Sequence, residues 1–204
     1  AHFSLPDLEI PEYAVPAGLA DPAGFKTYQR YAITEDGVSP RLALGQSNHL
    51  VVIDSDEHTE EGHITEDLET LRPAMVEKRL EKARRLKREM AMPDAYRTED
   101  AEIVLISWGS TRGAVREAVD LLRDRDWEVG SLHFTDVWPL PQLTLPDHVV
   151  YWTVEGNATG QFAQLLQAEW GIPITGKIER YDGMPIDAVS IVAEVMGDET
   201  EDSA

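Results

Sequence analysis

The chain has 204 residues, 42% of them hydrophobic, no cysteine, and a formal net charge of −20 from 38 acidic against 18 basic residues. That length holds one ordinary domain with room for a tail. The charge argues against nucleic acid as a partner, because phosphate repels such a surface, and the missing thiols exclude disulfides, a thiol nucleophile and Cys-ligated zinc or iron–sulfur clusters within these residues.

No run approaches the ~18 to 20 apolar residues that span a bilayer, so no membrane partner is expected. The start, Ala1-His2-Phe3-Ser4, lacks the basic and apolar blocks of a signal peptide. A start other than Met reads as a fragment of something longer, and the lack of export signal and cysteine fits a cytoplasmic protein. The acidic excess fits two readings: adaptation to high salt, where screening suppresses self-repulsion, or ordinary solubility plus an acidic tail.

Five of the twelve prolines fall in the first forty residues, at Pro6, Pro11, Pro16, Pro22 and Pro40. Proline fixes φ and removes a donor, so regular helix is not expected there. Phe3, Leu5, Leu8, Ile10, Tyr13 and Val15 are interspersed. Residues 1–27 therefore read as an extended Pro-rich strap from a missing N-terminal domain, richer in large apolar groups than a flexible linker.

Residues 28–196 read as one α/β domain. His49 to Asp54 is a short apolar run that predicts a strand, followed by a very acidic loop over 55–65. A helix is predicted from about Thr70 to Met90, with Pro73 near its start, where a missing N–H costs little. It places Met75, Leu80, Ala83 and Leu86 on one face, opposite Glu and Arg at helical spacing.

Ala101–Ser107 is an apolar strand leading into Trp108-Gly-Ser-Thr111, and the helix after it, to about Arg125, turns Val115, Ala118, Val119 and Leu122 inward. Strands follow over 128–134, 148–155 and 174–181, with helices over 159–170 and 185–196. Residues 197–204 form an acidic tail of disordered character. Alternating strands and helices imply right-handed βαβ units, hence a three-layer α/β/α sandwich on a mainly parallel sheet.

Two strand-to-helix turns carry candidate chemistry. At Trp108-Gly-Ser110-Thr111 the helix start could hold an anion, or Ser110 or Thr111 is simply an N-cap. At Glu155-Gly-Asn157-Ala-Thr159-Gly-Gln161, Asn157 or Thr159 can cap, and Gly156 and Gly160 indicate a tight turn; the stretch is either a cleft or interface rim or a well-capped turn. No Gly-x-Gly-x-x-Gly or Walker-type Lys is present, so a dinucleotide or nucleoside triphosphate site is not supported. Asp56, Glu57, His58, Glu60, Glu61 and His63 offer metal-compatible donors, but the two histidines are not an i, i+4 pair, and no metal is assigned. Trp138-Pro-Leu-Pro141 closes a core or anchors an interface. His133 and His148 have no motif that would place a nucleophile beside them.

Five stretches in fixed order, Tyr31-Ala-Ile-Thr-Glu-Asp-Gly-Val-Ser-Pro-Arg41, Asp56–Glu66, Ser107–Thr111, Asp136-Val-Trp-Pro-Leu-Pro141 and Val154–Gln161, resemble the C-terminal part of the α subunit of 2-oxoacid:ferredoxin oxidoreductases. The resemblance runs from about Tyr28 to about Ala193. It implies a domain like the transketolase C-terminal domain, with an assembly role in an enzyme that turns a 2-oxoacid such as pyruvate or 2-oxoglutarate and coenzyme A into acyl-CoA, CO₂ and reduced ferredoxin. It also implies that thiamine diphosphate, Mg and iron–sulfur clusters sit elsewhere in the complex, and that the partners are a β subunit and the missing N-terminal α domain. The family's Tyr-Pro-Ile-Thr-Pro-type loop has no counterpart: Tyr31-Ala-Ile-Thr34 lacks both prolines, and substrate recognition is not carried onto it. The expected rim and interface residues are Arg41, Trp108, Ser110, Thr111, Glu155, Asn157, Thr159 and Gln161, with no catalytic, cofactor or metal residue among them and no activity in the fragment alone. A domain of this kind, taken out of its assembly, is also expected to form a homodimer. The alternatives are another thiamine-dependent enzyme (a 2-oxoacid dehydrogenase β subunit or a transketolase), a stand-alone anion or nucleotide module using the Ser110 and Thr159 helix ends, and a metal module using His58 and His63.

Overall fold

The computed structural model describes residues 18–197; residues 1–17 of the strap assigned to 1–27, and residues 198–204 of the tail assigned to 197–204, lie outside the described residues. The chain divides into two compact units, at Arg85 and Leu86. Among the described residues no helix is long and apolar enough to cross a membrane.

The first unit is mostly irregular. Its described part holds a 3₁₀ turn at Pro22–Gly24, capped by Asp21, isolated bridges Leu19–Arg41 and His58–Ile64, and the start of α1 (Leu71–Glu89). Aromatic contacts organise it in place of a sheet. Phe25 meets Tyr28 edge-on at 5.5 Å, and the buried Tyr28 hydroxyl donates to the Pro40 carbonyl and accepts from the Leu42 N–H. The strand expected over 49–54 does not form: among the described residues no strand pairs with the segment, and Leu50 and Ile53 are exposed. An apolar run becomes a strand only when another strand completes its ladder. Helix α1 lies where the sequence puts it, but of its apolar stripe only Met75 is buried, while Leu80, Ala83 and Leu86 face solvent.

The second unit is the sandwich. Its sheet runs β1 (Asp94–Tyr96), β3 (Val129–Phe134), β2 (Ile103–Trp108), β4 (Val150–Glu155), β5 (Ile174–Glu179). All neighbours pair parallel except the antiparallel edge strand β1. The inner strands β2 and β3 are almost wholly buried because helices cover both faces, and β2 is a near-continuous apolar run. On one face α2 (Arg112–Arg123) and α4 (Ala188–Met196) pack Val115, Ala118, Val119, Leu122, Ile191 and Val195 against Leu105, Val129 and Val154. On the other, α3 (Gln161–Trp170) packs Phe162 and Leu166 against Ile106, Phe134 and Tyr151. Full burial of a Val or Leu side chain contributes about 1.5–3 kcal/mol, so α2 is held by the four positions its period places inward.

Candidate functional site

The sheet order reverses between β2 and β4: from β2 the chain steps to β3 on one side, and β4 lies on the other. Such switch points leave a crevice beyond the carboxyl ends of the strands. Here it is a cleft of about 710 Å³, walled by Trp108-Gly-Ser-Thr111, by Gly156 and by the loop from Arg180 to Ile186.

Beneath it lies Glu155, fully buried at the end of β4. Its carboxylate accepts the N–H of Phe162 at 2.8 Å and of Ala163 at 2.9 Å, and the Asn157 amide at 2.8 Å, with Trp108 Nε1 at 3.5 Å. Asn157 Oδ1 in turn accepts the N–H groups of Thr159 and Gln161, both at 3.2 Å. The first turn of α3 is thus capped by a buried carboxylate and an Asn seated behind it, and these N–H groups already have partners inside the protein. An anion held at the Thr159 helix end is therefore not supported. Gly160 enters the helix with φ +58, a left-handed conformation that favours glycine.

At α2 the cap expected from Ser110 or Thr111 is absent. The buried Thr111 hydroxyl donates back to the Trp108 carbonyl at 2.9 Å and closes a 3₁₀ turn over Gly109–Thr111, while Ser110 stays exposed at the rim. Of the expected rim residues, Trp108, Ser110 and Thr111 line the cleft, and Glu155 and Asn157 support it. Thr159 and Gln161 are exposed near the start of α3 and do not line it. Arg41 belongs to the first unit and lines a different pocket there.

Sequence reasoning missed the third wall. The sequence places Arg180 and Tyr181 at the end of a strand and Pro185 and Ile186 at the start of a helix, but Arg180 to Ile186 forms a loop pinned by Arg180, which donates to Asp182 and Asp187, both at 3.1 Å. Asp187 also caps α4 through the Ser190 N–H at 2.8 Å. The signal in the sequence is the Arg180, Asp182, Gly183 and Asp187 cluster, a turn composition. At this same end of the sheet Trp138, Tyr181 and Met184 are 59%, 72% and 63% exposed. Trp138 precedes a cis peptide to Pro139 in the connection that leaves β3.

His133 does have a hydroxyl beside it. Ser107 Oγ lies 2.9 Å from its Nδ1, which the sequence reading did not foresee. Ser107 is fully buried and Asp94, the carboxylate paired across the ladder with His133, is bound by Arg112 and Arg116. A nucleophilic triad is therefore not formed. The loop over 56–63 gathers no metal-binding group: among the described residues no three His, Cys, Asp or Glu side chains converge. His58 is instead buried, with its ring stacked on Tyr31 at 3.7 Å.

Residues 101–159 match the family model of pyruvate:ferredoxin oxidoreductase core domain II. The chain is 30% identical over 190 residues to 2-oxoacid:ferredoxin oxidoreductase 1, subunit alpha, of Sulfurisphaera tokodaii, covering 88% of this chain and 29% of that protein. It is 32% identical over 179 residues to 2-oxoacid:ferredoxin oxidoreductase 2, subunit alpha, of Aeropyrum pernix, covering 82% and 27%. Among solved structures, 2-oxoglutarate:ferredoxin oxidoreductase from Magnetococcus marinus, with 2-oxoglutarate, coenzyme A and succinyl-CoA bound, superposes with a TM-score of 0.69 at 29% identity, over 86% of this chain and 31% of that one. The chain thus spans under a third of the length of these curated relatives.

Proposed function

Because this chain is a relative of the α subunits of 2-oxoacid:ferredoxin oxidoreductases, we propose that it is the C-terminal domain of such a subunit and serves to assemble the enzyme. The whole enzyme joins the acyl group of a 2-oxoacid to coenzyme A, releases CO₂ and passes the electrons to ferredoxin. The observation that carries the assembly role is the exposed Tyr181 and Met184 on the wall of the switch-point cleft, with the exposed Trp138 in the connection that leaves β3. Aromatic residues and Met are enriched at protein interfaces, and a solvated rim has no use for three of them. We read this rim as the seat of the β subunit and of the N-terminal α domain. In the isolated chain the same rim favours self-association into a homodimer.

The donor set here does not fit the cofactors of that reaction. An iron–sulfur cluster takes thiolates, and the sequence has no cysteine. Among the described residues no three His, Cys, Asp or Glu side chains converge. In this reading thiamine diphosphate, Mg and iron–sulfur clusters belong to other parts of the complex, and the fragment alone is inactive.

The test is CoA-dependent reduction of ferredoxin or a viologen dye by the complete α subunit co-expressed with its β subunit, with pyruvate and with 2-oxoglutarate, at low and high salt. Activity that needs 2-oxoacid, CoA and thiamine diphosphate supports the reading and names the substrate. A cofactor-loaded, assembled complex without activity overturns it, and reduction of NAD in place of ferredoxin moves the chain to the 2-oxoacid dehydrogenases.

A further inference from the structure

In a chain with 38 acidic against 18 basic residues, one pocket of the first unit is lined by five cations and no carboxylate. Arg30, Arg41, Lys78, Arg79 and Lys82 share its wall, around a volume of about 350 Å³. That composition is the reverse of the rest of the surface.

The pocket is built by specific packing. Gly37, at φ +72, lies directly on α1: a Cβ there would come within 2.5 Å of the Lys78 carbonyl and 2.6 Å of the Lys82 nitrogen. Only glycine lets this loop approach the helix so closely, and that approach brings Lys78 and Lys82 opposite the 37–41 loop. Lys78 Nζ donates to the Tyr31 carbonyl at 2.8 Å, and the Arg30 guanidinium sits 5.1 Å from the Tyr31 ring centre.

Among the described residues one of the five lining cations, Arg79, is paired with a carboxylate, and Glu60 acts on Lys78 through its charge. Glu57 takes Arg79 at 3.0 Å, Asp36 pairs with Arg85 outside the lining, and Glu60 accepts the Ile33 N–H at 2.7 Å. Arg30, Arg41 and Lys82 make no ion pair among the described residues. The crowding is energetic as well as geometric: burial, then the charges of Lys82 and Arg30, push Lys78 down to about 8. Like charges gathered in one concavity repel, and an anion between them relieves the repulsion.

We propose that this pocket binds a phosphate-bearing small anion, its oxygens held by Arg30, Arg41 and Lys82. Guanidinium forks match phosphate geometry in pairs, and a lysine supplies a mobile point charge beside them. The chemistry is shared by inorganic phosphate and by the phosphate group of a nucleotide-like ester, and the probes separate these sources.

The experiment is isothermal titration of the whole chain with inorganic phosphate, pyrophosphate and adenosine 3′,5′-bisphosphate, at constant ionic strength, with the helical circular dichroism signal confirming a folded sample. Saturable binding is expected, and Arg41→Ala with Lys82→Ala should weaken it by about tenfold or more. Lys26→Ala, a charge removed outside the pocket, should leave it unchanged, and the charge-preserving pair Arg41→Lys with Lys82→Arg should retain it. The bisphosphate binding about tenfold tighter than phosphate names an ester as the ligand, and equal affinity names free phosphate. No saturable binding by the folded wild type overturns the proposal, as does an equal loss in Lys26→Ala, which would mean diffuse charge attraction only.

Discussion

Ser107 Oγ and His133 Nδ1 stand 2.9 Å apart, directly across the β2–β3 ladder, with both side chains buried. The pair satisfies two polar groups that would otherwise lie unpaired at the carboxyl end of the sheet, where an orphaned donor or acceptor costs about 1–3 kcal/mol.

The burial of His133 makes stability depend on pH in a definite direction. Burial, and next the Arg112 charge, hold His133 below its ordinary value of 6.5. Between that value and the lower folded one, the unfolded chain binds a proton that the native chain does not, so stability falls as pH drops below about 6.5. Urea midpoints of the wild type should decline between about pH 7 and pH 5 more steeply than those of His133→Gln. Parallel slopes would show that His133 is not the group responsible.

Glu155 is the second buried polar centre, and its substitution should be costly. Glu155→Ala leaves the N–H groups of Phe162 and Ala163 and the Asn157 amide without their acceptor. The expected loss is about 2–5 kcal/mol, the sum of a cap and of buried unsatisfied donors. Glu155→Gln should lose less but still measurably, because its amide turns a donor toward one of those N–H groups. Chemical denaturation measures both, and a loss below about 1 kcal/mol for Glu155→Ala would refute the capping account.

The sandwich was legible because burial there follows period. Val115, Ala118, Val119 and Leu122 recur at helical spacing, and all four are buried. The apolar run into Trp108 is the central strand β2. What failed depends on tertiary partners. Asp94-Ala-Tyr96 has no strand pattern and pairs only because β3 offers an edge, whereas the apolar run over 49–54 finds none. The cleft was half legible: Trp108, Ser110 and Thr111 follow a strand in sequence, but the 180–186 wall and the Ser107–His133 pair are assembled by the parallel ladder.

Gly37 offers a test of the first unit. With φ +72 and the backbone of α1 closer than a Cβ tolerates, Gly37→Ala should destabilise by well over about 1 kcal/mol, the cost of a left-handed alanine alone. Gly45, also at positive φ but with nothing within 4 Å, provides the comparison. Gly45→Ala should lose only the conformational part. Equal losses at the two positions, read from thermal or urea unfolding, would mean that the loop does not rest on the helix.

The rim can be separated from the fold by the same logic. Tyr181 and Met184 are 72% and 63% exposed, so replacing both with Ser removes little burial, and the isolated chain should keep its stability to within about 0.5 kcal/mol. In the complete enzyme the same pair of changes should weaken association of α with β, read by sedimentation or by the subunit ratio after co-purification. The loss should be at least about tenfold if these side chains are buried anchors, since such positions each carry about 1–2 kcal/mol or more. Normal assembly and normal ferredoxin reduction by this variant would remove the rim from the interface. A destabilised isolated chain would instead assign Tyr181 and Met184 to the fold.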